Sequence, residues 1–147
     1  YQGNLGGIAG ADANCNADGN KPLDGSIYKA LVGVTGVRDL STDWPLLPNN
    51  LYMRTDFTPI EITDALGKFP TTLMNSFATS VPANSFSGIQ NGWIVSASNG
   101  TANCSGWTGT GGSQYYATPT TTDMTTGFFT GSVACTTFLT LICVEQP

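Results

Sequence analysis

The sequence predicts an α+β domain of short, mostly antiparallel strands, one or two short helices and long loops, cross-linked by disulfides. Three observations predict it. Apolar residues alternate over 27–34, where Tyr28, Ala30, Val32 and Val34 share a face, and run almost unbroken over 138–144. Stretches rich in Gly, Thr, Ser and Asn separate such runs, while 40% of the chain is hydrophobic, enough for a core and too much for a disordered tract. Four cysteines, Cys15, Cys104, Cys135 and Cys143, form an even set without Cys-x-x-Cys spacing in a chain without histidine. That set reads as two disulfides and not as a metal site.

The elements follow in order. Residues 1–147 make one domain by length. Gly-rich residues 3–10 lead into 11–18, Ala-Asp-Ala-Asn-Cys-Asn-Ala-Asp, a short helix with Ala11 and Cys15 four apart on its inward face and Gly19 as its stop. Residues 27–34 are the first strand. Pro45 and Pro48 exclude a helix from the turn-rich connection 43–50. Leu51-Tyr52-Met53-Arg54 is a short strand, and 55–86 reads as irregular with short pieces of structure. Trp93-Ile94-Val95 is a strand core after the Asn91-Gly92 turn signal. Residues 96–130 form a long polar loop, functional or pinned. The run 138–144 is the strongest strand, apolar on both faces and expected at the centre of a sheet.

Composition excludes whole classes of function. Only 10% of residues are charged, against a typical share of about 25%. The net charge is −5, and Lys21, Lys29, Arg38, Arg54 and Lys68 never cluster, which argues against a nucleic-acid partner. No apolar run is long enough to span a membrane, so no membrane insertion of this segment is expected. The chain starts at Tyr1 and carries no signal peptide. It reads as a mature or trimmed segment whose export signal has been removed. Disulfides place it outside the reducing cytosol. Four cysteines allow three pairings; the nested one, Cys15 with Cys143 and Cys104 with Cys135, would tie the termini together and pin one long loop.

The order of motifs carries a resemblance. It runs from the Gly-rich start and Ala-Asp-Ala-x-Cys through Tyr-Lys-Ala-Leu-Val, Asp-Trp-Pro-Leu and Asn-x-Tyr-x-Arg-x-Asp. Gly-Trp, Asn-Cys-Ser-x-Trp-Thr, Cys and Leu-x-Cys-Val-Glu-Gln follow. The chain resembles, over residues 3–146, the bacterial endostatin-like domain of the leptospiral endostatin-like surface lipoproteins and, more distantly, collagen endostatin. The resemblance implies a C-type-lectin-like fold with the nested disulfides, Cys15 on the first helix, Cys143 on the last strand and a structural hydrogen bond at Glu145. The ligand chemistry does not carry over. The histidines of the endostatin zinc site and the clustered arginines of its heparin site are absent. The strings nearest to the lectin calcium motifs, Val81-Pro82-Ala83-Asn84 and Cys104-Ser105-Gly106-Trp107, lack carboxylates. Family members carry an apolar strand just ahead of the Gly3-Asn4-Leu5-Gly6-Gly7 segment, paired with the terminal strand. The resemblance thus implies an uncovered edge on the last strand or its neighbour.

No catalytic, cofactor or metal site is expected. Asp12, Asp18, Asp24, Asp39, Asp43, Asp56, Asp64 and Asp123 are scattered singly among turn residues as turn and cap acceptors. No basic residue stands near Cys104, Cys135 or Cys143 to activate a thiol. The glycines at 106, 109, 111 and 112 lack the lysine of a phosphate loop. Asn99 and Asn103 fit the N-glycosylation pattern. Trp44, Trp93 and the Phe128-Phe129 pair read as core. Trp107, Tyr115 and Tyr116, set among Ser, Thr, Gly and Asn, are the candidate binding surface. The sequence therefore predicts a non-enzymatic extracellular recognition or adhesion domain of a bacterial surface protein. It would bind protein or glycan on another cell or matrix through 96–130. The alternative is a structural subunit of a fibre, appendage or surface layer, in which copies assemble through the uncovered strand edge.

Overall fold

In a computed structural model of the chain, residues 1–80, 84–96, 102–125 and 128–147 are described. Among them the order is α1 (Gly7–Ala17), β1 (Ile27–Ala30), β2 (Leu51–Met53), β3 (Pro59–Ile62), β4 (Ser85–Phe86), β5 (Ile89–Gln90), β6 (Ile94–Val95), α2 (Cys104–Trp107), β7 (Ser113–Ala117), β8 (Phe129–Ala134) and β9 (Cys143–Gln146). Strand pairs β1–β9, β2–β3 and β5–β6 and the three-stranded β4–β7–β8 sheet are all antiparallel. The predicted mixed α+β class, the short helices and the two disulfides are all present.

Helix α1 starts at Gly7, ahead of the expected 11–18, because the glycines permit a close turn. Gly6 sits at φ 84° before it, and at Gly10 a side chain would run into the Leu5 carbonyl. No side chain caps the helix. Packing holds it: Ala11 and Cys15 are fully buried, and Cys15 is bonded to Cys143 across 128 residues.

Two hydrophobic clusters lie on opposite faces of the β1–β9 pair. One gathers Ala11, Cys15, Tyr28, Ala30, Phe86 and Trp107 under α1. The other takes Leu31 and Val144 into an aromatic group, where Phe128 and Phe129 meet edge to face at 4.8 Å and Trp93 and Phe129 at 5.3 Å. Trp44 completes it against Trp93 at 6.0 Å.

Two expectations are corrected. The terminal strand is short, β9, with a single strand partner, and Phe138 is 70% exposed. An apolar run predicts a central strand, but its residues divide between two clusters, Leu139, Leu141 and Cys143 in one and Ile142 and Val144 in the other. Residues 55–86 hold the expected short pieces of structure, β3 and β4. The polar stretch 96–130 contains α2, β7 and the start of β8, so it is largely built into the fold. Its Ser/Thr-rich composition hides a strand, β7, in which Gln114 and Ala117 are buried.

Helix α2 is one left-handed turn, with φ of 51° at Cys104, 57° at Ser105, 69° at Gly106 and 67° at Trp107. Such a conformation costs about 1–2 kcal/mol per non-glycine residue. The Cys104–Cys135 bond, a Gly106 N–H donated to Asn103 Oδ1 at 3.1 Å and Trp107 N–H donated to Asn103 O at 2.8 Å hold it. Gly3 lies against this bond. Its N–H donates to Cys135 O at 2.8 Å, and a Cβ there would collide with Cys104 Sγ. Gly3→Ala is expected to lower stability by about 1–3 kcal/mol through overpacking, read as a shift in the urea midpoint.

Candidate functional site

Among the described residues, β9 has β1 as its one strand partner. Leu31 N–H donates to Ile142 O at 2.8 Å, and the register pairs Lys29 with Val144 and Ile27 with Gln146. Hydrogen-bonded and non-bonded pairs alternate in an antiparallel ladder. The backbone groups of Ile142, Val144 and Gln146 therefore face β1, and those of Leu141, Cys143 and Glu145 face away. On that outward side Tyr1 and Leu139 exchange both bonds, each at 3.0 Å. Thr140 turns the other way, donating to Asn84 O at 3.1 Å and accepting from Phe86 N–H at 2.9 Å. Among the described residues no backbone group bonds the outward N–H of Leu141, Cys143 or Glu145.

Two grooves flank this edge. The one of about 410 Å³ is walled by Tyr1, Cys15, Tyr28, Leu139, Leu141 and Cys143. The other, about 920 Å³, has Ile60, Phe69 and Val144 among its lining and β2 as its far wall. There the apolar rim is open to solvent: Leu51 is 43%, Met53 51% and Phe57 79% exposed. Leu141 and Cys143 line both grooves, so the edge runs between them. Burial, joined by the Glu145 and Asp24 carboxylates, pushes the Tyr28 phenol up, which keeps it neutral. Ser26 N–H and Thr58 N–H hold the rim carboxyls of Asp24 and Asp56 below their ordinary range, so both are ionised. Ser26 Oγ donates to Glu145 Oε1 at 2.5 Å, a structural hydrogen bond of Glu145.

The residues singled out from sequence lie elsewhere. Trp107 is 0% exposed and packs edge to face on Phe86 at 5.6 Å, so it is a core residue and not a contact surface. Tyr115 and Tyr116 are half-buried neighbours on β7, and Tyr116 packs against the α1 cluster beside Gly131. The three aromatics do not form one exposed patch. Asn99 and the 81–83 part of the lectin-like string lie outside the described residues. Asn103 is fully buried. Sequence reading missed the groove rim, although Leu51, Met53 and Phe57 offered a signal: large apolar residues in a polar segment that follows a proline-bounded turn.

The described residues bring no three His, Cys, Asp or Glu side chains together to hold a metal ion, and no helix of the described chain is long and apolar enough to cross a membrane. The architecture and the edge define a small, disulfide-linked, mostly antiparallel α+β domain with an open strand beside an apolar groove. The chain belongs to the family described as Protein of unknown function (DUF1554), whose pattern matches residues 1–126. No curated protein and no solved structure matches the chain.

Proposed function

We propose that this domain is a non-enzymatic extracellular recognition module of a bacterial surface, and that it binds protein partners along the outer edge of β9. The observation that carries the reading is the unpaired backbone of Leu141, Cys143 and Glu145 between two apolar grooves. Such an edge supplies main-chain hydrogen bonds for affinity and side-chain pockets for specificity. The two disulfides support an oxidising compartment. The motif order and the nested pairing support a C-type-lectin-like, endostatin-like architecture. The fibre-subunit reading draws on the same edge, and it requires apparent mass to grow with concentration in size-exclusion chromatography.

Panning a random heptapeptide phage library on the immobilised chain tests the reading. Peptides with an apolar, uncharged centre are expected to enrich and to keep binding when tens of millimolar salt is added, because the contact is apolar and hydrogen-bonded. The doubly substituted chain Leu51→Asp, Met53→Asp should lose them. Both residues are about half exposed, so its stability should shift by no more than about 1 kcal/mol. Selected peptides that bind the substituted chain equally well would overturn the reading.

A further inference from the structure

We propose that an internal water molecule is bound between the left-handed turn α2 and strand β7, held by the side chains of Gln114, Trp107 and Ser96. Gln114 and Trp107 are 0% exposed and Ser96 is 7% exposed. Among the described residues neither polar atom of the Gln114 amide has a hydrogen-bond partner, and none bonds Trp107 Nε1 or Ser96 Oγ. Buried polar groups are as a rule paired, because leaving them dry forfeits the bonds they make to water in the unfolded chain. Here the unpaired atoms converge. Asn103 and Gln114 face each other in an antiparallel bridge, which sets their side chains on one face. A Cβ at Gly88 would lie 3.3 Å from Asn103 Cβ and 2.8 Å from Trp107 Cζ2, the indole carbon next but one to Nε1. Ser96 N–H donates to Gly88 O at 3.0 Å, and Ser96 O accepts from Asn103 Nδ2 at 3.3 Å. Asn103 is thus a neighbour of all three residues.

The mix of donors and acceptors selects the ligand. Trp107 Nε1 and Gln114 Nε2 only donate, Gln114 Oε1 only accepts, and Ser96 Oγ does either. A cation would be repelled by the N–H groups and an anion by the amide oxygen. The one buried charged side chain among the described residues, Arg38, is engaged with Asp12 and Asp43, so nothing at the site offsets an ion's charge. Water donates and accepts at once, and in such sites it makes about three bonds. Asn103 does not take its place. Its Oδ1 accepts from Gly106 N–H at 3.1 Å, and its Nδ2 donates to Ser96 O. So placed, the water joins three segments: the turn that carries Trp107, strand β7 at Gln114 and the end of the β5–β6 hairpin at Ser96.

Water–protein cross-relaxation spectra of the isotope-labelled chain test the site. The Trp107 indole proton and a Gln114 amide proton are expected to show cross-peaks at the water frequency. Their signs should be opposite in the laboratory-frame and rotating-frame experiments, the mark of a held water. Gln114→Met, which puts an unbranched apolar chain of similar length in place of the amide, should abolish the Trp107 cross-peak. Cross-peaks of like sign in the parent would report proton exchange and overturn the site. So would their absence from the parent spectra. A Trp107 cross-peak unchanged in Gln114→Met would overturn Gln114 as a holder of the water. If the Met variant fails to fold, the parent spectra alone decide.

Discussion

Replacing Cys15 and Cys143 together by alanine is expected to lower the unfolding free energy by about 4–5 kcal/mol, the largest single loss in this domain. The bond closes a separation of 128 residues, against 31 for Cys104 and Cys135. In the loop-entropy account a longer closure restricts the unfolded chain more, which puts the outer bond about 1 kcal/mol above the inner one. The outer bond also fixes a helix with no side-chain cap to the strand that carries the open edge. Urea unfolding of the two double-alanine variants decides the order. A larger loss from the inner pair would mean that the left-handed turn it holds, and not chain closure, dominates.

Arg38→Met is expected to cost about 1.5–3 kcal/mol at neutral pH, because it removes charged hydrogen bonds from Asp12 and Asp43, which at 23% and 40% exposure are only partly stranded. Arg38 is 1% exposed. It donates to Asp12 Oδ1 at 2.5 Å and Oδ2 at 2.7 Å, to Asp43 Oδ2 at 2.6 Å, and to Ala30 O at 3.2 Å. Lys29 reaches the other oxygen of Asp43. One guanidinium thereby joins α1, β1 and the connection to β2. Its burial lowers the guanidinium pKa, but the bonds to Asp12 and Asp43 outweigh that and raise it. Burial pushes the Asp43 carboxyl up, and the hydrogen bonds from Lys29 and Arg38 outweigh this and hold it below its ordinary value. A carboxyl depressed in the folded state stabilises above its unfolded pKa of about 3.9 and loses that contribution as pH falls through the folded value. The gap between the parent and Arg38→Met should therefore narrow in urea titrations repeated below about pH 4. An equal gap at pH 7 and at low pH would place the energy in packing of the side chain and not in its charges.

Local chemistry made part of this molecule legible in its sequence. Cys15 and Cys143 bracket the chain, and the face shared by Tyr28, Ala30, Val32 and Val34 is buried as its period implied. Most of the scattered aspartates close turns, as at Asp24 with Ser26 N–H, Asp39 with Ser41 N–H and Asp64 with Leu66 N–H. Asp12 and Asp43 escaped that reading because their partner, Arg38, reaches them through tertiary structure. Trp107 misled for a related reason: polar neighbours in sequence say little when a left-handed turn swings the indole into the core. The edge was foreseeable only by resemblance. Its exposure depends on which backbone groups β1 leaves unpaired, a matter of register that no side-chain pattern encodes.

Cys143 belongs at once to the free rim of β9 and to the covalent link with α1. A ligand strand tugged along its own axis would load every rung of that rim simultaneously, in shear, and not peel them one after another. The tension would then pass through sulfur into the helix, bypassing the weaker β1 ladder. Force spectroscopy with and without a reductant would read what the Cys15–Cys143 bond adds to that resistance.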